Sequence, residues 1–230
     1  MNKRRIALLA SCVLLPSIAL ATYAAVTRIN PNNQHAVGDQ LDELNGVAIY
    51  YNGGVNTVQG RNLSKDGYNL GLRYQCVEFV KRYYFERHDH RMPDSYGHAK
   101  DFFDPTLSDG SLNTKRAMLQ FRNGSAAQPQ AEDLLVFAPT LFNRYGHVAI
   151  IASVGSDSLQ IAQQNPGPFG RSREDLPLTQ REGRWYIGQA NVLGWLRLTP
   201  ADAMLAPELS DINRILRGFH PAWAWRPTPP

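Results

Sequence analysis

Hydrophobic positions group into short runs along most of this chain, and the spacing inside each run changes once. Val47-Ala48-Ile49-Tyr50-Tyr51 is a compact apolar run ending in Asn52-Gly53-Gly54, which predicts a strand closed by a turn. Residues 62–72 read as a loop. At Cys76 the period becomes helical: Val77, Val80 and Tyr84 fall at i, i+3 and i+7, with Phe79 and Tyr83 beside them, and Glu78, Lys81 and Arg82 form the polar face. Two further helical stretches are expected over 99–103 and 114–121, before Asn123-Gly124-Ser125 and Pro129 break the pattern. Beyond Pro129 the runs are strand-like: Leu134-Leu135-Val136-Phe137, Val148-Ala149-Ile150-Ile151, Leu159-Gln160-Ile161-Ala162, Trp185-Tyr186-Ile187 and 193–198. The expected fold class is α+β, with N-terminal helices packed on an antiparallel sheet of about five or six strands. A short helix over 204–217 and a Pro-rich end over 223–230 complete the prediction.

The start of the chain follows a different rule. Lys3-Arg4-Arg5 is a basic cap, and residues 6–26 carry no charge, the pattern of a secretory signal or of a single-pass membrane anchor. Ala19-Leu20-Ala21 fits a small-x-small cleavage site, and the run is also long enough to span a bilayer uncut. Export to the periplasm, to the outer face of the inner membrane or to the medium is the expectation. The organisation reads as a leader or anchor over 1–26, a linker over 27–43, one domain over 44–200 and a tail over 201–230.

The leader also accounts for the charge. Lys3, Arg4 and Arg5 supply three of the four net positive charges, so the rest of the chain is nearly neutral, and no Lys/Arg cluster interleaved with aromatics points to nucleic acid. The two cysteines are Cys12, inside the leader, and Cys76, so a disulfide framework is not expected. His35, His88, His90, His98 and His220 show no metal-ligand spacing, and no metal or cofactor is expected.

Cys76 at a helix start is a candidate nucleophile, its thiol pKa lowered by the helix N-terminus. Gly146-His147 opens a strand, and Gln163 and Asn165 close the next strand-like run. If 148–151 and 159–162 pair through Gly155-Ser156-Asp157, His147 and Gln163 lie side by side. A thiol needs a base, and the base needs a group that fixes its tautomer, so Cys76, His147 and either Gln163 or Asn165 form a candidate set. Tyr74 and Gln75, together with the backbone N–H of Cys76, are candidates for an oxyanion site.

The same residues carry a resemblance. Tyr74-Gln75-Cys76-Val77-Glu78-Phe79, Gly146-His147-Val148-Ala149-Ile150-Ile151 and Ile161-Ala162-Gln163-Gln164-Asn165 resemble the CHAP domains (cysteine, histidine-dependent amidohydrolase/peptidase). Asn45-Gly46-Val47-Ala48-Ile49-Tyr50, Gly97-His98-Ala99-Lys100-Asp101-Phe102-Phe103 and Leu193-Gly194-Trp195 extend it, within that group, toward the amidase domain of glutathionylspermidine synthetase/amidases. The resemblance implies a papain-like fold and amide cleavage through an acyl-enzyme on Cys76, with His147 as base.

The chain departs from that pattern twice. Gln163 stands where those amidases usually have glutamate, and an amide lacks the charge that stabilises an imidazolium. Lys81-Arg82 stands where they have paired arginines, so a Lys81 that contacts substrate would offer a point charge in place of a planar fork. The expected activity is cleavage of an amide in cell-wall peptides. Hydrolysis of glutathionylspermidine-like small amides, or peptide binding by a degenerate and inactive module, are the other readings.

Overall fold

The computed structural model describes residues 3–199, with side chains in the first helix described at 12–24, 27 and 28. The helix and Pro-rich end expected beyond 200 lie outside the described residues. The chain divides into a unit spanning Met1–Arg197 and a second from Leu198 onward, and the first is described here.

Its elements in order are α1 (Lys3–Arg28), β1 (Gln40–Leu44), β2 (Val47–Tyr50), β3 (Arg61–Leu63), β4 (Asn69–Leu72), α2 (Cys76–His88), a 3-10 turn (Ala99–Phe102), β5 (Ser111–Asn113), β6 (Met118–Arg122), β7 (Leu134–Phe137), β8 (His147–Val154), β9 (Ser158–Ala162), β10 (Arg173–Arg181), β11 (Arg184–Ile187) and β12 (Val192–Arg197). The fold is α+β. Eight strands form one antiparallel sheet in the order β11-β10-β9-β8-β7-β12-β6-β5, and β1-β2 and β3-β4 are separate hairpins. Among the described residues no helix is long and apolar enough to cross a membrane.

The sheet is larger than the apolar runs suggest because its edges are polar. Central β7 is buried at all four positions and β8 at Val148–Ile151, so both read as unbroken hydrophobic runs. Edge-side β10 buries only Leu176 and Leu178 among charged residues and Pro177, which hides it from a search for alternation. The helix expected over 114–121 is instead a turn followed by β6. Ala117 adopts φ +51°, which no right-handed helix admits, and Met118–Arg122 pairs with β12 and β5. The stretch expected as a loop over 62–72 contains the short pair β3-β4.

Helix α2 is the pillar of the unit. Phe79, Val80, Tyr83 and Tyr84 are fully buried, and so are Glu78, Lys81 and Arg82, so the predicted polar face is an interior face filled with partners. On the sheet, Trp195 of β12 stacks on Phe121 of β6 within the main apolar cluster. Gly194 beside it has φ +155°, and a Cβ there would lie 2.0 Å from the Phe121 carbonyl oxygen. Replacing Gly194 with Ala is expected to separate β12 from β6 and cost about 3 kcal/mol or more. A urea unfolding midpoint unchanged from the parent would contradict that close approach.

Candidate active site

The turn from β4 into α2 sets the position of Cys76. Gln75 N–H donates to the Leu72 carbonyl at 3.0 Å, with Tyr74 in the left-handed region at φ +66°. Gln75 is the residue before the first helical turn, yet its side chain does not cap the helix. Its amide donates instead to the carbonyls of Thr57 (2.6 Å) and Val55 (3.2 Å), and its Oε1 accepts from Asn165 Nδ2 at 2.7 Å. The first N–H groups of α2 are therefore left for another acceptor. The backbone N–H groups of Val148 on β8, of Val77 and of Cys76 itself favour the thiolate of Cys76.

β8 and β9 form the predicted hairpin, closed by Gly155 N–H donating to Ser158 O at 2.8 Å. It brings His147 Nε2 to 2.9 Å from Gln163 Oε1. Gln163 N–H is itself held by the Ser172 carbonyl, and its Nε2 donates to Arg171 O (3.1 Å) and Glu174 Oε2 (3.0 Å). With its NH2 so engaged, Gln163 presents oxygen to the ring. Nε2 of His147 then carries the proton, and Nδ1 is the nitrogen left for the thiol. Gly146 allows this placement: a Cβ there would meet Phe137 O at 2.7 Å and Lys100 N at 3.1 Å.

Of the two amides proposed to orient the imidazole, Gln163 makes the bond and Asn165 turns the other way, to Val55 O (2.9 Å) and Gln75. Gln75 and Tyr74 do not supply oxyanion donors from their side chains. Gln75 is spent on the 55–57 loop, and the Tyr74 ring lies against Tyr50 at 5.4 Å with its hydroxyl beside Gly38. Lys81 is buried beneath the Tyr68 ring and does not itself line the cleft; it clamps the carbonyls of Asn69 and Ser95, two residues of the cleft wall, from behind. Burial, helped by the charges of Arg116 and Arg61, pulls its pKa down to about 7.

Burial also governs the thiol. It pushes Cys76 up to about 11 although the backbone N–H groups of Val148, Val77 and Cys76 act the other way, and pulls His147 down to about 4 despite its bond to Gln163. This corrects the expected low-pKa cysteine: desolvation of the thiolate outweighs the helix N-terminus, and both the thiol and the imidazole rest neutral.

A network of buried polar groups holds the two halves of the site together. Glu78 accepts from Arg82 Nε (2.7 Å), Asn62 Nδ2 (2.8 Å) and Gln164 Nε2 (2.8 Å). Gln164 in turn bonds Gln75 O (3.0 Å) and Tyr50 N–H (2.8 Å), while Arg82 reaches Ala48 O (2.7 Å).

Cys76 opens onto a cleft of about 800 Å³. Its walls come from the end of α1 (Leu20, Tyr23, Ala24, Thr27, Arg28), the 55–61 segment, β4, the 95–99 loop and the 143–146 loop, which ends at Gly146, the residue before His147. Sequence reasoning gave no role here to Arg61, which lies 5.3 Å over Tyr96, nor to the His98 and Tyr145 rings, which meet at a 40° tilt with centroids 4.6 Å apart. Gly97-His98 was the one signal available, as part of the resemblance. Arg28, Arg61 and Arg144 line the cleft, and no Asp or Glu does among the described residues.

Residues 65–165, which include Cys76, His147, Gln163 and Asn165, match the family model of the CHAP domain. The chain is 30% identical over 119 residues to a trypanothione synthetase of Crithidia fasciculata, covering 52% of this chain and 18% of that protein. It is 29% identical over 159 residues to the bifunctional glutathionylspermidine synthetase/amidase of Escherichia coli, covering 64% of this chain and 26% of that one. A glutathionylspermidine synthase of Crithidia fasciculata matches at 26% over 116 residues, covering 48% and 16%. The chain thus spans about a quarter or less of the length of these curated relatives.

Two outcomes follow from the geometry. Alkylation of Cys76 by iodoacetamide is expected to accelerate continuously through about pH 8 toward the thiol pKa near 11. A rate plateau already reached by roughly pH 6 would mean a resting thiolate–imidazolium pair instead. Glu78→Ala leaves Arg82 buried without its carboxylate and is expected to cost about 3–5 kcal/mol, measured by urea unfolding.

Proposed function

Residues 65–165 form a CHAP domain, and from that premise we propose that the chain is an exported, papain-like cysteine amidohydrolase acting on cell-wall peptides. The observation that carries the chemistry is Cys76 at the uncapped start of α2, lining the cleft, together with a His147 on β8 whose proton Gln163 holds on Nε2. In this reading His147 Nδ1 takes the thiol proton as sulfur attacks the amide carbon, so no thiolate stands waiting. The carbonyl oxygen gains the negative charge, and N–H groups at the start of α2 face it. His147 then returns the proton to the departing amine as the C–N bond breaks. Water, deprotonated by the same ring, hydrolyses the thioester and frees Cys76.

Two features support a cell-wall substrate. The basic cap with its uncharged run over 6–26 supports export. The cleft presents arginines without carboxylates, which suits the acidic stem peptides of peptidoglycan. The same lining disfavours a polyamine leaving group. The second reading, cleavage of a glutathionylspermidine-like amide, is favoured by the similarity to the synthetase/amidase over 64% of this chain.

Incubation with purified peptidoglycan, and separately with glutathionylspermidine, followed by mass spectrometry, separates the two. Release of stem-peptide fragments by the parent, and none by Cys76→Ala, is expected. Cleavage of glutathionylspermidine alone would select the second reading. Cleavage of neither would leave a peptide-binding module.

A further inference from the structure

An amide in the third position of a thiol–imidazole site poses a problem that a carboxylate does not. A carboxylate can only accept from the ring, whereas an amide can present either end. With its oxygen toward His147, Gln163 holds the proton on Nε2 and leaves Nδ1 able to take the thiol proton. With its NH2 toward the ring, Nε2 must accept, the proton moves to Nδ1, and the base is blocked. Something outside the triad has to choose the end.

We infer that Glu174 is a positioning residue for His147: by accepting from Gln163 Nε2 it fixes the orientation of that amide, and through it the tautomer of the ring. The amide sits between them, 2.9 Å from His147 Nε2 on one side and 3.0 Å from Glu174 Oε2 on the other. Gln163 is buried, so water does not replace a missing partner freely. The Arg171 carbonyl at 3.1 Å is a second acceptor on the same nitrogen. Both ends of the flip are thereby decided: turned over, Gln163 would aim its oxygen at a carboxylate and a carbonyl. The bond to the carboxylate is charge-assisted and roughly twice as strong as a neutral one. β10 supplies the geometry, since Glu174 pairs across from Ile161 at the end of β9, two residues before Gln163. The negative charge that the resemblance leads one to expect at position 163 is thus present one residue further out.

The inference rests on the amidase reading for its catalytic meaning, and its test does not. In the full-length chain, 15N NMR of the imidazoles, with His147 assigned by its loss in His147→Gln, is expected to report the Nε2–H tautomer for the parent. In Glu174→Gln, whose own NH2 can bond a flipped Gln163, the Nδ1–H form is expected to appear. Turnover is expected to fall about tenfold in kcat, a part of the roughly 10²–10⁴ that a general base contributes, with KM within about twofold. Glu174→Asp retains an acceptor and is expected to keep most of the parent's rate. The charge swap Gln163→Glu with Glu174→Gln, in which the amide now donates inward, is expected to restore Nε2–H and recover kcat. An unchanged tautomer and kcat in Glu174→Gln overturn the inference. A parent that cleaves nothing, yet loses Nε2–H in Glu174→Gln, overturns the proposed function and leaves the positioning role standing.

Discussion

A buried carboxylate, Glu78, is the constraint on which the site depends. It lies within α2, two residues beyond the candidate nucleophile, and takes three hydrogen bonds: from its own helix, from β3, and from Gln164 beyond β9. A carboxylate removed from water is costly unless every lone pair is used, so the donors cannot drift apart without a large penalty. Gln163 and Gln164 are adjacent, just past the end of β9, and their side chains take different partners. One reaches the imidazole while the other is locked to Glu78. The start of α2 and the segment after β9 are tied by that carboxylate and by the bonds of Gln164 and Asn165 to Gln75.

The site is tuned by what is withheld from water as much as by what is charged. A helix N-terminus is expected to draw out a thiolate, and the uncapped start of α2 offers its N–H groups for that purpose. Burial opposes it and wins. In the proposed mechanism the same N–H groups retain a use, as donors to the negative charge that develops during attack on an amide. A neutral resting pair also fits an uncharged third member: an imidazole that stays neutral between turnovers has less need of a carboxylate in contact with it.

How much of this was legible in the sequence divides along burial. Strands buried on both faces announce themselves as apolar runs, and β7, β8 and β9 fell where those runs lie. The His147–Gln163 pairing followed from one hairpin turn. What escaped were elements whose order comes from partners far along the chain. Met118–Arg122 carries residues that tolerate a helix, and only pairing with β12 and the backbone at Ala117 make it a strand. Glu174 was invisible for the same reason, lying in a strand of charges and proline. Lys81 and Arg82 read as a solvated face because no local pattern tells a charged side chain in water from one satisfied by carbonyls.

The end of α1 bears on how the chain is matured. Thr27 is buried, its carbonyl accepts from Asn56 N–H at 2.8 Å, and Tyr23, Ala24 and Arg28 belong to the wall of the cleft. Scission after Ala21 would detach most of the hydrophobic run and keep these four residues, at the loss of Leu20 from the wall. Scission a turn or two later would not be neutral trimming. It would open one side of the cleft and remove one of its arginines, making the position of the cut a determinant of what the enzyme can hold.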